Sequence, residues 1–221
     1  MSYFSSRTNL ARAPLRQAVP LVGGGELSRS LVDEHGAVLV WLVILLAPFL
    51  AHAFSAAPKN FAYQRELVMA GEVWRLLSAS FIPFNNIHAA LNSFALAMLI
   101  LLFGVARDAR AIVVFVVLGL AVYSAEHLFS GHVWARGMSG AVYGFGVFGA
   151  LTYLTRLGGF LALTLVTGKT VFDYLGLSPD IEITIGSLVL YSHHAFGAIA
   201  ALVLVLAMVV GRGLRRNQYT T

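Results

Sequence analysis

Ser139 stands in the stretch Arg-Gly-Met-Ser-Gly-Ala-Val-Tyr-Gly, residues 136–144, at the head of an apolar run. Gly137 and Gly140 flank it closely, so backbone and substrate can both approach its hydroxyl. A serine needs a base to take its proton, and an imidazole suits that task near neutral pH. Two adjacent imidazoles, His193 and His194, lie near one end of another apolar run. The oxyanion formed by serine attack needs fixed donors. His88 and Asn92, four residues apart, share one helix face. The first N–H groups of a helix opening at Ser139 lack intrahelical acceptors and can serve as well. Together these types can do acyl transfer with a nucleophile, a base and an oxyanion hole.

The elements that must position them are apolar. The chain has 221 residues, 58% hydrophobic and 11% charged. A soluble domain is about a quarter charged, so the composition is that of a membrane protein. Apolar segments cover residues 36–54, 88–106, 111–129, 139–154, 158–175 and 187–211. Each is about long enough to cross a hydrocarbon core of ~30 Å as a helix, and none alternates as barrel strands do. The fifth is the most polar, with Lys169 and Asp173. The expected fold is an all-α integral membrane protein with six transmembrane helices. Residues 1–35 form an N-terminal tail, 36–211 the six-helix domain and 212–221 a C-terminal tail. The net charge of +5 comes from arginines scattered between apolar runs, which fits loop charges better than a nucleic-acid surface. Ten of the 15 Lys and Arg residues fall on one side of the six-segment scheme, which makes that side, with both termini, cytoplasmic. The polar groups of segments two, four and six then gather at the outer side.

Polar groups inside spans are costly and therefore the functional suspects. Gly140 with Gly144, and Gly197 with Ala201, form small-residue faces that let segments four and six pack closely. Tyr143 lies one turn beyond Ser139 on the same face and is placed to stack on an imidazole. Segment four spans about 24 Å, short for the membrane, and His194 lies about 10 Å into segment six. Both point to a recessed, wet cavity. Residues 56–87 form a partly structured outer segment with Trp74 as an interfacial anchor.

Trp74–Arg75, His-Ala-Ala-Leu-Asn at 88–92, Gly-Met-Ser-Gly-Ala-Val-Tyr-Gly at 137–144 and His-His-Ala-Phe-Gly at 193–197 occur in this order. In these motifs the chain resembles the rhomboid family of intramembrane serine proteases, of the six-span bacterial type. The resemblance covers most of the chain after the tail. It implies a rhomboid-like bundle and a Ser–His dyad, without the usual carboxylate, that cleaves transmembrane segments of other membrane proteins. It makes Ser139 the nucleophile and His194 the general base, preferred over His193 because Gly197 follows it by three. His193 is then dispensable to the chemistry. His88 and Asn92 contribute to the oxyanion hole, Tyr143 supports the base, and Gly137 and Gly140 line the nucleophile. Two features depart from the family. Pro83 stands where many members have a histidine, and the outer loop 176–186 is longer than usual.

The implied location is a bacterial inner membrane, with both termini cytoplasmic and the site opening outward. The implied partners are transmembrane substrates and lipids, with no nucleic acid. No cofactor is called for. No metal is expected either, since His35, His52 and His132 have no ligand spacing and no His-Glu-x-x-His occurs. With no cysteine, disulfides and thiol chemistry are excluded. The tail has no apolar core for a signal peptide. Its Arg and Ser content is similar to a transit peptide's, and a flexible polar cytosolic tail explains it equally. The first alternative function is a catalytically inactive rhomboid-like protein that binds transmembrane substrates. A transporter is the second, with Glu126 and His127 as a proton relay, although structural pairing of these two suits their place near the outer end of segment three better.

Overall fold

The structure, a computed structural model, describes residues 24–54, 60–175 and 191–218. Loop 176–186, the first residues of segment six and most of the N-terminal tail lie outside these. The elements run α1 (Gly24–Ala53), β1 (Tyr63–Gln64), α2 (Arg65–Met69), α3 (Arg75–Ser78), a 3-10 turn (Ala79–Phe81), α4 (Asn86–Phe103), α5 (Ala109–Phe129), β2 (Trp134–Ala135), α6 (Ser139–Thr152), α7 (Arg156–Tyr174) and α8 (Tyr191–Gln218). Helix α1 begins twelve residues before position 36, and α8 runs seven residues past 211. The helical boundaries thus extend beyond the apolar runs into the tails.

Local chemistry sets several ends. The Asn85 side chain caps α4 by accepting from the His88 N–H at 2.8 Å. Gly104, at φ +66°, closes α4 in the left-handed conformation. Asp108 caps α5 by accepting from the Arg110 N–H at 2.9 Å.

Among the described residues, four helices are long and apolar enough to cross a membrane: α1 over His35–Ala53, α4, α5, and α8 over Tyr191–Leu214. Their outer faces expose large apolar side chains such as Leu39, Leu102, Val113 and Leu206. Water does not tolerate so much contiguous apolar surface, and lipid does. Helix α6 has 14 residues, about 21 Å, and falls short of a full hydrocarbon core. Helix α7 has 19 residues but carries Arg156, Lys169 and Asp173.

Helix α6 is the centre of the bundle. Residues 140–142 and 144–150 are all buried. Trp41 of α1 and Phe115 of α5 meet the Phe145 ring at centroid distances of 5.8 Å each. Helix α8 approaches α6 along glycines. A Cβ on Gly144 would stand 2.7 Å from the Gly197 carbonyl oxygen, and one on Gly140 would stand 2.7 Å from the His193 carbonyl oxygen. A Cβ on Gly197 would overlap the Gly140 carbonyl. The two backbones touch, and dispersion contacts between them replace side-chain packing.

Gly197→Ala therefore forces α6 and α8 apart. Its expected cost is the ~1–3 kcal/mol typical of overpacking, or more, read as a lower unfolding midpoint of the detergent-solubilised protein. Gly168 of α7 has nothing within 4 Å of its absent Cβ. Gly168→Ala should be neutral or stabilising, by up to ~1 kcal/mol, through helix propensity alone.

Candidate active site

Ser139 is the first residue of α6, preceded by Met138 at φ −91°, ψ 0° and by Gly137 at φ +113°. Gly137 is held on three sides. Its N–H donates to the Ala79 carbonyl at 2.9 Å, its carbonyl accepts from Tyr123 Oη at 2.8 Å, and a Cβ there would lie 2.7 Å from His88 Cε1. The turn before Ser139 thus requires glycine for its backbone and for the His88 ring.

The segment between α1 and α4 braces this turn. Strands β1 and β2 pair antiparallel, Tyr63 opposite Ala135 and Gln64 opposite Trp134. Buried Arg75 donates from Nη1 to the Ala62 carbonyl at 2.8 Å and from Nε to Glu72 at 2.7 Å. Trp74 beside it is exposed, as an interfacial anchor would be. The Arg136 guanidinium lies over two rings that meet edge-on, 4.5 Å from the Phe84 centroid and 4.6 Å from that of Trp134. Burial lowers its pKa, and the Tyr123 phenol acts in the opposite direction.

His88 is oriented from behind. The Phe84 N–H donates to its Nδ1 at 3.1 Å, which leaves the proton of the neutral ring on Nε2. That Nε2 faces Gly137, 3.3 Å from the position of its absent Cβ. Asn92 Nδ2 donates to the His88 carbonyl at 2.9 Å within the same helix, using one of its two amide hydrogens. Ser80, Pro83, His88, Asn92, Gly137 and Met138 line a cavity of about 10 Å³, the space of one water. The Ser80 hydroxyl is buried with no hydrogen-bond partner among the described residues. Pro83, read from sequence as a departure, is part of this wall.

On the other side of Ser139, Tyr143 stacks face to face on His194, with centroids 3.9 Å apart and planes 11° from parallel. Tyr143 is one turn after Ser139, and Gly140 touches the carbonyl of His193. The Ser139 turn of α6 and the His194 turn of α8 therefore face each other. Tyr143 also lines an apolar cleft of about 280 Å³ with Ala95 and Leu99 of α4 and Leu165, Val166 and Lys169 of α7.

The structure corrects the pairing of Glu126 with His127. His127 Nδ1 meets the Tyr63 hydroxyl at 3.2 Å. Glu126, fully buried, presents Oε2 to His193 Nε2 at 3.0 Å and Oε1 to His132 Nδ1 at 2.6 Å. The His193 contact is bent, with the ring N–H pointing off the line to the oxygen. The Ser130 hydroxyl also donates to Oε1. Ser130, His132 and Glu126 are not a catalytic triad. Serine and carboxylate meet the same imidazole nitrogen, whereas a relay needs one on each. A costly buried glutamate is a legible signal, but its partners come from a loop and from a helix distant in sequence. Tyr123 and Ser80 carried no sequence signal at all.

No family model matches this chain, and no curated protein matches it.

Gly137→Ala places a side chain at an unfavourable φ and against His88. Gly71, at φ +107°, has open space around it. Gly71→Ala should cost only the backbone strain, about 1–2 kcal/mol. Gly137→Ala should cost distinctly more in thermal unfolding, because the ring of His88 must move as well.

Proposed function

We propose that this chain is a rhomboid-type intramembrane serine endopeptidase that cleaves transmembrane segments of other proteins with a Ser139–His194 dyad. The observation that carries this reading is the parallel stack of Tyr143 on His194, one turn from Ser139, where glycines bring the two backbones into contact. A stacked imidazole is fixed in plane and can serve one hydroxyl repeatedly.

In this mechanism His194 takes the Ser139 proton as Oγ attacks the scissile carbonyl. The oxyanion is met by the Ser139 backbone N–H, the His88 Nε2–H and the second hydrogen of the Asn92 amide. His194 then donates its proton to the departing amine and leaves an acyl-enzyme. A water deprotonated by the same ring hydrolyses it. The apolar cleft beside Tyr143 supports entry of a transmembrane substrate from lipid. The shortness of α6 supports a recessed site reached by water. In this reading α6 and α7 also lie within the membrane, which makes six crossings. The positive charges then put both termini in the cytoplasm and the site toward the outer side, as in a bacterial inner membrane.

Ser139→Ala and His194→Ala should each abolish cleavage of a model transmembrane substrate, with the double mutant little worse than either single. A fluorophosphonate should label the wild type and not Ser139→Ala. Labelling that persists in that mutant rejects Ser139, and a wild type that neither labels nor cleaves is the inactive binding protein instead.

Asn92→Ala should lower kcat by roughly 10²–10³ with little change in KM, since its donor acts in the transition state. If Asn92 only closes its own helix through His88, the unfolding midpoint falls and kcat stays. Both quantities are measured on one purified sample.

A further inference from the structure

Helix α5 holds both halves of the proposed dyad from outside it. Tyr123 Oη bonds the Gly137 carbonyl, two residues before Ser139. The same ring meets the His193 ring edge-on at 5.1 Å, one residue before His194. One turn on, Glu126 presents its carboxylate to His193 Nε2 at 3.0 Å. His193 is 2% exposed and Glu126 is fully buried. A buried carboxylate is costly without partners, and removing one partner of such a pair leaves an uncompensated group. Glu126 is secured from its other side by Ser130 and by His132, whose side chain reaches the surface. The only anchor it offers to α8 among the described residues is His193.

His193 and His194 leave α8 about 100° apart. A rotation of α8 about its axis that loosens His193 also turns His194 away from Ser139. The glycine contact between α6 and α8 sets their distance and which faces meet, since a neighbouring side chain turned into the seam would strike backbone. Within that seam the buried 3.0 Å approach of Glu126 to His193 fixes the finer angle, because a turn of α8 would part the two groups.

We propose that Glu126 is a positioning residue: by gripping the His193 imidazole it fixes the rotation of α8 that aims His194 at Ser139. The inference rests on the dyad reading above. It reverses the expectation that His193 is dispensable, because His193 is the handle through which the carboxylate acts. Glu126 touches neither substrate nor base, and so is not a third member of a triad.

The test uses the full chain in detergent, with fluorophosphonate labelling of Ser139 and steady-state cleavage of a model transmembrane substrate. Glu126→Gln should lower kcat by roughly tenfold to a hundredfold with little change in KM, as a small misalignment of the base does. His193→Phe should lose a similar factor, and the double mutant should be no worse than either single. His193→Gln, whose amide nitrogen can occupy the place of Nε2, should restore most of the rate. Should Glu126→Gln fail to fold, the His193→Phe and His193→Gln pair reads the same contact from the other side. A lowered unfolding midpoint with unchanged kcat overturns the proposal, because that is a purely structural role. Losses that multiply in the double mutant overturn it too, because Glu126 then does not act through His193. A wild type without Ser139-dependent labelling defeats the dyad reading and this inference together. A labelled wild type with an unchanged Glu126→Gln defeats the inference alone.

Discussion

The backbone contact between α6 and α8 is the constraint on which the rest depends. At Gly140, Gly144 and Gly197 a single added carbon would strike the opposite backbone. Two helices can approach this closely only where neither carries a side chain, and in lipid such contact is itself a main source of cohesion. It brings the turn of Ser139 against the turn of His194 and lets Tyr143 lie flat on the imidazole. The seam admits only these bare faces, since side chains on either side of them would strike the opposing backbone.

Polar groups hold the elements around this seam. They are few, and most are tied to backbone or to one another. Arg75 satisfies the Ala62 carbonyl, Tyr123 the Gly137 carbonyl, Phe84 the Nδ1 of His88, and Ser93 of α4 the Leu45 carbonyl of α1 at 2.9 Å. In an apolar surrounding each such bond is costly to lose, so each holds its element firmly. The segment between α1 and α4 is therefore more than a connector. Through the Ala79 carbonyl and the two-residue sheet it holds the Gly137 turn, and that turn sets where α6 begins.

Much of this was legible along the chain. The spacing of Ser139 and Tyr143, the His88–Asn92 face and the small-residue positions 140, 144, 197 and 201 all depend on helical periodicity, a local property that sequence displays directly. The tight seam and the stack on His194 follow from those positions. Membrane character was legible in composition, and four of the apolar runs are long helices of spanning character. Residues 139–154 and 158–175 read as spans, yet their helices are shorter or more polar than the rest. Periodicity says that they are helical, not how deeply they sit.

By itself, then, the sequence determined which residues share a helix face, where glycine leaves room for close approach, and which polar groups an apolar chain carries at a cost. Only the tertiary structure decided who partners whom. Glu126 looked paired with its neighbour His127 and instead meets His132 and His193. Consecutive residues on a helix point about 100° apart, so sequence neighbours rarely bond side chain to side chain. Ser80 and Tyr123 joined the site for a similar reason: a hydroxyl is unremarkable in sequence until folding buries it beside the turn that precedes Ser139. Helix periodicity is written locally in the chain, whereas the partner of a buried polar group is chosen by how helices pack, which no local pattern records.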